Sequence, residues 1–351
     1  MEKVIKQCVG IDCAKDKLDV SFAVMNSSFD STILSTTVFT NDRTGWKKMV
    51  KWAEQLESQD LQTHFVIEAT GVYHEQVCLY LFLLHRQISV LLPNKVKKFA
   101  GTLKIKTVND RVSAQTIAQM GIEKKLDSWQ PPHEVFNLLR QLTRERHQLI
   151  EEKTQILCEL HAEQSGAWPN KKSIHRMKQR IKLILKQIVE IENEMKEQVK
   201  EHSWLKEKLA HLCSIPGIGF LTAVTVVAET NGFNLVRNKK QLVSYAGLDV
   251  IEKESGSSVR GKPRISRRGN KQIRRAMYFP AFSAIRVKSK MHQLYARLEA
   301  KHGIKMKAAV AVQRKLLELM YLLWKKNETY IENYDLKKLE QPKKAALIEM
   351  A

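Results

Sequence analysis

Three acidic residues carry the chemistry most readily seen in this sequence. Asp12 interrupts the apolar run Val9-Gly10-Ile11-Asp12-Cys13-Ala14, and Glu68 repeats the pattern in Phe65-Val66-Ile67-Glu68-Ala69. A carboxylate is costly to bury unless something compensates its charge. Asp110 opens a helical stretch, where a helix N-terminus favours negative charge. Carboxylate oxygens and water are the ligands that Mg²⁺ selects. Such a site suits phosphoryl transfer, in which metal ions orient the attacking group and stabilise the leaving oxygen. Any one of these acids alone reads as a cap or a surface charge. Three of them, in this order on this strand pattern, read as a metal site. Asp16, Asp19 and Glu75 fit exposed turn or strand positions and stay outside it.

A second feature lies in the C-terminal half. Between Glu252 and Arg275 stand Lys253, Arg260, Lys262, Arg264, Arg267, Arg268, Lys271, Arg274 and Arg275, against the two glutamates Glu252 and Glu254. Gly256, Gly261 and Gly269 punctuate this run, which predicts loop over most of it. Within it lies Ser255-Gly256-Ser257-Ser258. A serine beside a glycine in a field of arginines can meet a phosphodiester as a nucleophile or as a passive phosphate-binding turn, and spacing alone leaves both open. Upstream, Gly217 and Gly219 in Ser214-Ile215-Pro216-Gly217-Ile218-Gly219 stand between two apolar helical stretches. That is a helix-hairpin-helix pattern, whose free backbone N–H groups suit a phosphate; a tight turn without a ligand is the plainer reading.

These groups need elements to hold them. The runs 9–14, 18–25 and 32–40 read as strands, joined at Lys15-Asp16-Lys17 and Asn26-Ser27-Ser28, and predict an antiparallel meander. Trp46, Met49, Val50 and Trp52-Ala53 share one face of a helix. A buried strand at 65–69, a helix over 74–85, a strand over 88–92 and a helix opening near Asp110 complete the order βββαβαβα. That is the RNase H-like α/β arrangement. Pro131-Pro132 then begins a long helical region. Met177, Ile181, Ile184, Ile188, Ile191, Met195 and Val199 recur at steps of three and four, the mark of a coiled-coil seam. An earlier helix through Leu138, Leu142, Leu149 and Ile156 packs antiparallel to it or to a partner chain, with the break at 166–170 as the turn. An internal hairpin and an oligomerisation arm are both open. The expected division is therefore 1–130 for the metal-binding domain, 131–207 for the helical coiled-coil region, 208–330 for a mostly α C-terminal domain and 331–351 for a tail.

Composition points to the substrate class. The chain has 59 Lys and Arg against 37 Asp and Glu, a formal charge of +22 among 351 residues. Such an excess favours nucleic acid through counterion release. Cys8, Cys13, Cys78, Cys158 and Cys213 are odd in number and form no CxxC pair, which argues against a disulfide framework and a zinc site. No apolar run approaches ~18 residues, and the first residues do not resemble a signal sequence. A cytoplasmic protein without membrane contact is expected.

These pieces together resemble the DEDD transposases of insertion sequences, related to Piv-type invertases, whose studied members are bridge-RNA-guided recombinases. The resemblance covers roughly residues 8 to 325. It rests on Gly10-Ile11-Asp12 with Lys15-Asp16-Lys17-Leu18-Asp19-Val20, on Ile67-Glu68-Ala69-Thr70-Gly71-Val72-Tyr73, and on Asn109-Asp110-Arg111-Val112-Ser113-Ala114. The C-terminal half adds Ile215-Pro216-Gly217-Ile218-Gly219, Tyr245-Ala246-Gly247-Leu248, Glu254-Ser255-Gly256-Ser257-Ser258-Val259-Arg260-Gly261, Arg267-Arg268-Gly269-Asn270 and Ile273-Arg274-Arg275-Ala276. The resemblance implies a RuvC-like nuclease fold with a four-acid Mg²⁺ site at Asp12, Glu68, Asp110 and the position held here by Ser113. It implies that Ser255 is the nucleophile in a C-terminal transposase domain, forming a phosphoserine link to DNA. It also implies a homodimer or homotetramer in which acids of one protomer meet the serine of another, guided by a structured RNA. Ser113 departs from the pattern, since a hydroxyl is a much poorer Mg²⁺ ligand than a carboxylate.

Two other functions compete: a junction-resolving nuclease that hydrolyses DNA with Mg²⁺ alone, and a catalytically impaired homologue that only binds nucleic acid. Trp129, Trp168, Trp204 and Trp324 read as packing residues, and Tyr73 as a neighbour of the acidic site.

Overall fold

Alternation of apolar and polar side chains folds the first forty residues into three antiparallel strands, β1 (Val4–Cys13), β2 (Lys17–Asn26) and β3 (Ser31–Thr40). A computed structural model describes residues 3–58, 60–103, 109–252, 254–255, 259–261 and 264–332, giving only the backbone at 254, 255, 259 and 260. The chain divides into two units, residues 1–131 and 132–351.

In the first unit, helix α1 (Arg43–Leu56) follows the meander, and then come β4 (His64–Glu68), α2 (Glu75–Leu83) and β5 (Gln87–Leu91). The sheet order is β3-β2-β1-β4-β5, with β1 antiparallel to β2 and parallel to β4. This is the RNase H-like topology that the sequence predicts. One core lies under α1 and α2 and joins Ile11, Val20, Met49, Ile67 and Leu81. The other lies under α3 (Pro93–Thr102) and α4 (Asp110–Glu123) and joins Cys8, Val66, Val96, Phe99 and Ile117. Helix α3 is an addition to the predicted order. It starts on Pro93, whose fixed φ suits a first helical turn, and buries only Val96 and Phe99, too few to make a periodic signal.

The second unit begins with α5 (Glu134–Ser165) and α6 (Lys171–Glu201), which pair as an antiparallel hairpin through Ile156, Ile184 and Ile188. Val135, Leu139, Met195 and Val199 at the hairpin base share one core with the helices that follow. These are α7 (Ser203–Cys213), α8 (Phe220–Glu229) and α9 (Lys239–Tyr245). A ribbon follows, β6 (Val250–Ile251), β7 (Glu254–Ser255), β8 (Val259–Arg260) and β9 (Arg264–Ile265), with β6 on β9 and β7 on β8. The chain continues through α10 (Lys271–Ala276), α11 (Tyr278–Arg286), α12 (Lys290–His302) and α13 (Lys305–Lys326). The apolar face of α13, including Val312, Leu316, Leu317 and Met320, is fully buried. The ribbon corrects the loop expected around Ser255: its two-residue rungs are too short for alternation to register. No helix among the described residues is long and apolar enough to cross a membrane. Residues 333–351, most of the expected tail, lie outside the described residues.

Candidate functional site

Strand alternation puts Cys8, Gly10 and Asp12 on the face of β1 that meets α4. Val66 and Glu68 share that face on β4, and because Ile11 pairs with Ile67, Asp12 and Glu68 emerge side by side where the two strands end. Helix α4 crosses β1 directly over Gly10. A Cβ there would stand 2.2 Å from the backbone nitrogen of Ala118, so only glycine allows the approach. That approach brings Asp110, in the first turn of α4, to the same end of the sheet. Asn109 holds the turn by accepting the backbone N–H of Val112 at 2.8 Å.

The electrostatics record the convergence. Burial, followed by the negative charges of Asp110 and Asp19, pushes the Asp12 carboxyl up to about 6. Burial and the charge of Asp12 raise Glu68 as well. Asp19 corrects the sequence reading. It lies opposite Asp12 in the β1–β2 register and is only 6% exposed. The tight turn between β1 and β2, closed by Ala14 N–H to the Lys17 carbonyl at 2.9 Å, fixes that pairing and was the signal for it. Asp16 and Glu75 are exposed, as expected.

Lys17 stands among these acids. Its Nζ lies 2.6 Å from Asp110 Oδ2 and 3.1 Å from Asp19 Oδ2, and those two hydrogen bonds raise its pKa to about 12. Ser113, half-buried, follows Asp110 by one helical turn on α4. Carboxyls that burial, and then neighbouring negative charge, destabilise as anions fit a hard divalent cation. Among the described residues, however, no three ligand-type side chains stand close enough to grip an ion as they are placed.

Asn41 ties the loops around the site together. Its Nδ2 donates to the Ala14 carbonyl at 2.9 Å and to the Tyr73 carbonyl at 3.2 Å. Its Oδ1 accepts the Trp46 indole N–H at 2.9 Å. Asn41→Leu leaves that indole unpaired in a mostly buried place, and a loss of about 1–3 kcal/mol is expected in urea denaturation. A variant as stable as the parent would show that water replaces the amide at no cost. Tyr73 itself is 42% exposed beside this tie.

The second constellation is the root of the ribbon, where two sequence motifs clasp each other. Asn270 N–H donates to the Tyr245 carbonyl at 2.7 Å, and Arg267 N–H to the Gly247 carbonyl at 3.0 Å. Arg274 Nη1 donates to the Ala246 carbonyl at 2.8 Å. Beneath them lies Glu229, 2% exposed, which accepts Arg144 Nε and Nη2 at 2.7 and 2.8 Å and Asn270 Nδ2 at 2.7 Å. Ser255 pairs with Val259 in the outer rungs of the ribbon, so the clasp determines where its backbone leaves the body. The side chains of Ser255 and Arg260, and Lys262 as a whole, lie outside the described residues.

The remaining basic candidates divide. Arg264, Arg267, Lys271, Arg274 and Arg275 line one cleft, whereas Arg268 is exposed outside it. Arg274 is turned to the backbone, and Arg275 pairs with Glu151 of α5 at 2.7 Å. Gly217 makes the turn between α7 and α8 with φ +89°, and a Cβ on it would stand 2.6 Å from the Pro280 carbonyl. Gly219 caps α8 with open space around it.

Two profiles of transposases match successive parts of the chain. One, DEDD_Tnp_IS110, described as Transposase, matches residues 9–169, and the other, described as Transposase IS116/IS110/IS902 family, matches residues 209–296. The chain is 26% identical over 330 residues to the pilin gene-inverting protein of Moraxella bovis, covering 93% of this chain and 98% of that protein. It is 26% identical over 273 residues to the transposase for insertion sequence element IS1111A of Coxiella burnetii, covering 68% and 71%. The solved structure of Thermus thermophilus RuvC aligns with 35% of this chain and 99% of its own, at 13% identity and a TM-score of 0.27. The first profile takes in all three acids and the second takes in the ribbon with its clasp. With both halves matched, the chain belongs to the IS110 family of DEDD transposases, enzymes of DNA recombination.

Proposed function

We propose that this transposase cuts and rejoins DNA through a covalent serine intermediate, with Ser255 as nucleophile and a Mg²⁺ site at Asp12, Glu68 and Asp110. The observation that carries this reading is the convergence of the three acids at one sheet end, where burial first, and then the charges of Asp110 and Asp19, hold Asp12 up to about 6. When bound, a divalent cation supplies orientation of the phosphodiester and stabilisation of its leaving oxygen. Asp12 and Glu68 are the ligands already side by side, and Asp110 joins them by releasing Lys17.

In the proposed step, the Ser255 oxygen forms a bond to phosphorus while one P–O bond to a deoxyribose breaks. The serine proton leaves, the departing sugar oxygen gains one, and nothing is oxidised or reduced. Attack by a sugar hydroxyl on the phosphoserine reverses the bonds and rejoins DNA. The arginines around the ribbon root neutralise the phosphate as charge develops on it. In the same reading the α8 terminus at Gly219, with open space around it, meets a DNA phosphate. A structured RNA from the element guides the protein to element ends and target, recognised through shape and backbone. A homodimer or homotetramer in the cytoplasm completes the site, one protomer lending the acids and another the serine.

The test is detection of a covalent protein–DNA adduct with Mg²⁺, element ends and the flanking non-coding RNA. Ser255→Ala is expected to abolish the adduct and leave DNA binding intact; continued strand cleavage by that variant would mean hydrolysis by the metal site alone. Ser113 and the Lys17–Asp110 pair favour a second reading, a homologue that binds without cutting. That reading predicts no adduct from the parent, and Ser113→Asp restoring one would identify the lost ligand as the reason.

A further inference from the structure

The second unit contains a cleft of about 1210 Å³ between α5, α8, the ribbon root, α11 and α13. That exceeds the ~300–1,000 Å³ of ordinary small-molecule sites. Its floor is apolar, built by side chains such as Ile150, Leu221 and Val310. No described residue lining it is an aspartate or glutamate, while Arg264, Arg267, Lys271, Lys307 and Arg314 are all present. The other two lining arginines that carry ion pairs, Arg146 and Arg275, spend them on Glu192 and Glu151 outside the cleft.

Two observations point to a ligand. The Nε of Arg314 is buried and has no hydrogen-bond partner among the described residues, so a guanidinium N–H within the cleft wall lacks an acceptor. Phe279, on the same wall, is 76% exposed, and its ring stands edge-on to Tyr278 with centroids 5.3 Å apart. A phenylalanine left in water beside cations that face no carboxylate among the described lining residues suits a ligand with flat apolar faces and regularly spaced negative charge.

We infer that this cleft binds an unpaired polynucleotide strand, stacking bases on Phe279 and Tyr278 and placing phosphates against Arg264, Arg267, Lys271 and Arg314. A duplex keeps its bases stacked on one another and offers the apolar floor nothing. An unpaired strand presents both surfaces at once, which is the usual pairing of a cationic groove with aromatic platforms. A second copy of this chain is a poor occupant, because its own charge is +22. The strand is DNA displaced at the recombination site or an unpaired stretch of guide RNA, and the chemistry of the cleft is common to both.

The test is fluorescence anisotropy of the full-length protein with labelled oligouridylate, oligothymidylate and a blunt DNA duplex of equal length. Phe279→Ala is expected to weaken single-strand binding about tenfold while leaving duplex affinity within about twofold. Arg314→Gln is expected to weaken single-strand binding and lower its salt dependence by about one phosphate. A loss confined to uridylate assigns the cleft to RNA, and one confined to thymidylate assigns it to displaced DNA. Equal losses on the duplex, or unchanged strand affinity in both variants, overturn the proposal; a cleft built for a protein segment gives the latter. Crosslinking of an iodouridine-substituted strand provides a second readout, with attachment at Phe279 or Tyr278 expected and attachment only elsewhere contrary. Binding is read without cleavage, so failure here and failure of the Ser255 chemistry are separable.

Discussion

Asp12→Asn is expected to abolish strand cleavage and adduct formation, yet to raise the melting temperature of the metal-free protein at neutral pH. Asp12 is a carboxylate in a place that disfavours its charge, through burial first and then the charges of Asp110 and Asp19. Its pKa rises from 3.8 to about 6 on folding, so between those values the native state holds a proton that the unfolded chain has released. Stability from this group is therefore fully present below about pH 4 and is lost as pH rises through about 6. At pH 7 the charged side chain is a net cost, of order 1 kcal/mol after allowance for solvent at this half-open site. An amide of the same shape removes that cost. Thermal denaturation in a chelator should show the variant above the parent at pH 7 and level with it near pH 3.5. Mg²⁺ should then raise the parent more than the variant. A variant that melts below the parent at pH 7, or equal Mg²⁺ stabilisation of both, would contradict the site.

Glu229→Ala is expected to cause the largest loss of stability of any single change considered, about 3 kcal/mol or more in the second unit. The carboxylate is 2% exposed and joins Arg144 of α5 to Asn270 at the start of α10. Removing one partner of a buried ion pair leaves the opposite charge uncompensated, at a typical cost of 3–5 kcal/mol. The lower end applies because Arg144 is half-exposed and can turn to water. Glu229→Gln keeps the volume and part of the hydrogen bonding and should lose distinctly less. Urea denaturation followed by probes in each unit separates this loss from effects on the sheet unit. The adduct yield should fall with stability, because the same clasp fixes the exit of the Ser255 ribbon. A loss under about 1 kcal/mol would mean that the network relaxes around the gap.

The positions of Asp12, Glu68 and Asp110 are legible in the sequence because short-range patterns place them: two apolar strands that end in acids, and a helix begun by Asn109. Asp19 is not, because its partner is set by cross-strand register, which alternation within one strand does not reveal. Lys17 escapes for the same reason, since its contact with Asp110 spans 93 residues. In the second unit, composition marks the arginine-rich run as a candidate for binding phosphate. It cannot distinguish Arg275, spent on Glu151, from Arg267, which carries its charge into the cleft. The cleft itself is assembled from residues between Thr143 and Arg314, far beyond the reach of any local signal.

Gly10 acts as a gauge block for the acidic site. It contributes no ligand and no charge, yet the missing methyl sets how near α4 lies to β1, and therefore the spacing between Asp110 and Asp12. An insertion element multiplies by copying, and each copy drifts on its own. A lineage can thus retain Asp12, Glu68 and Asp110 and still lose their spacing through one added carbon at residue 10. Surveys that judge a copy by its acidic signature would count such a descendant among the living.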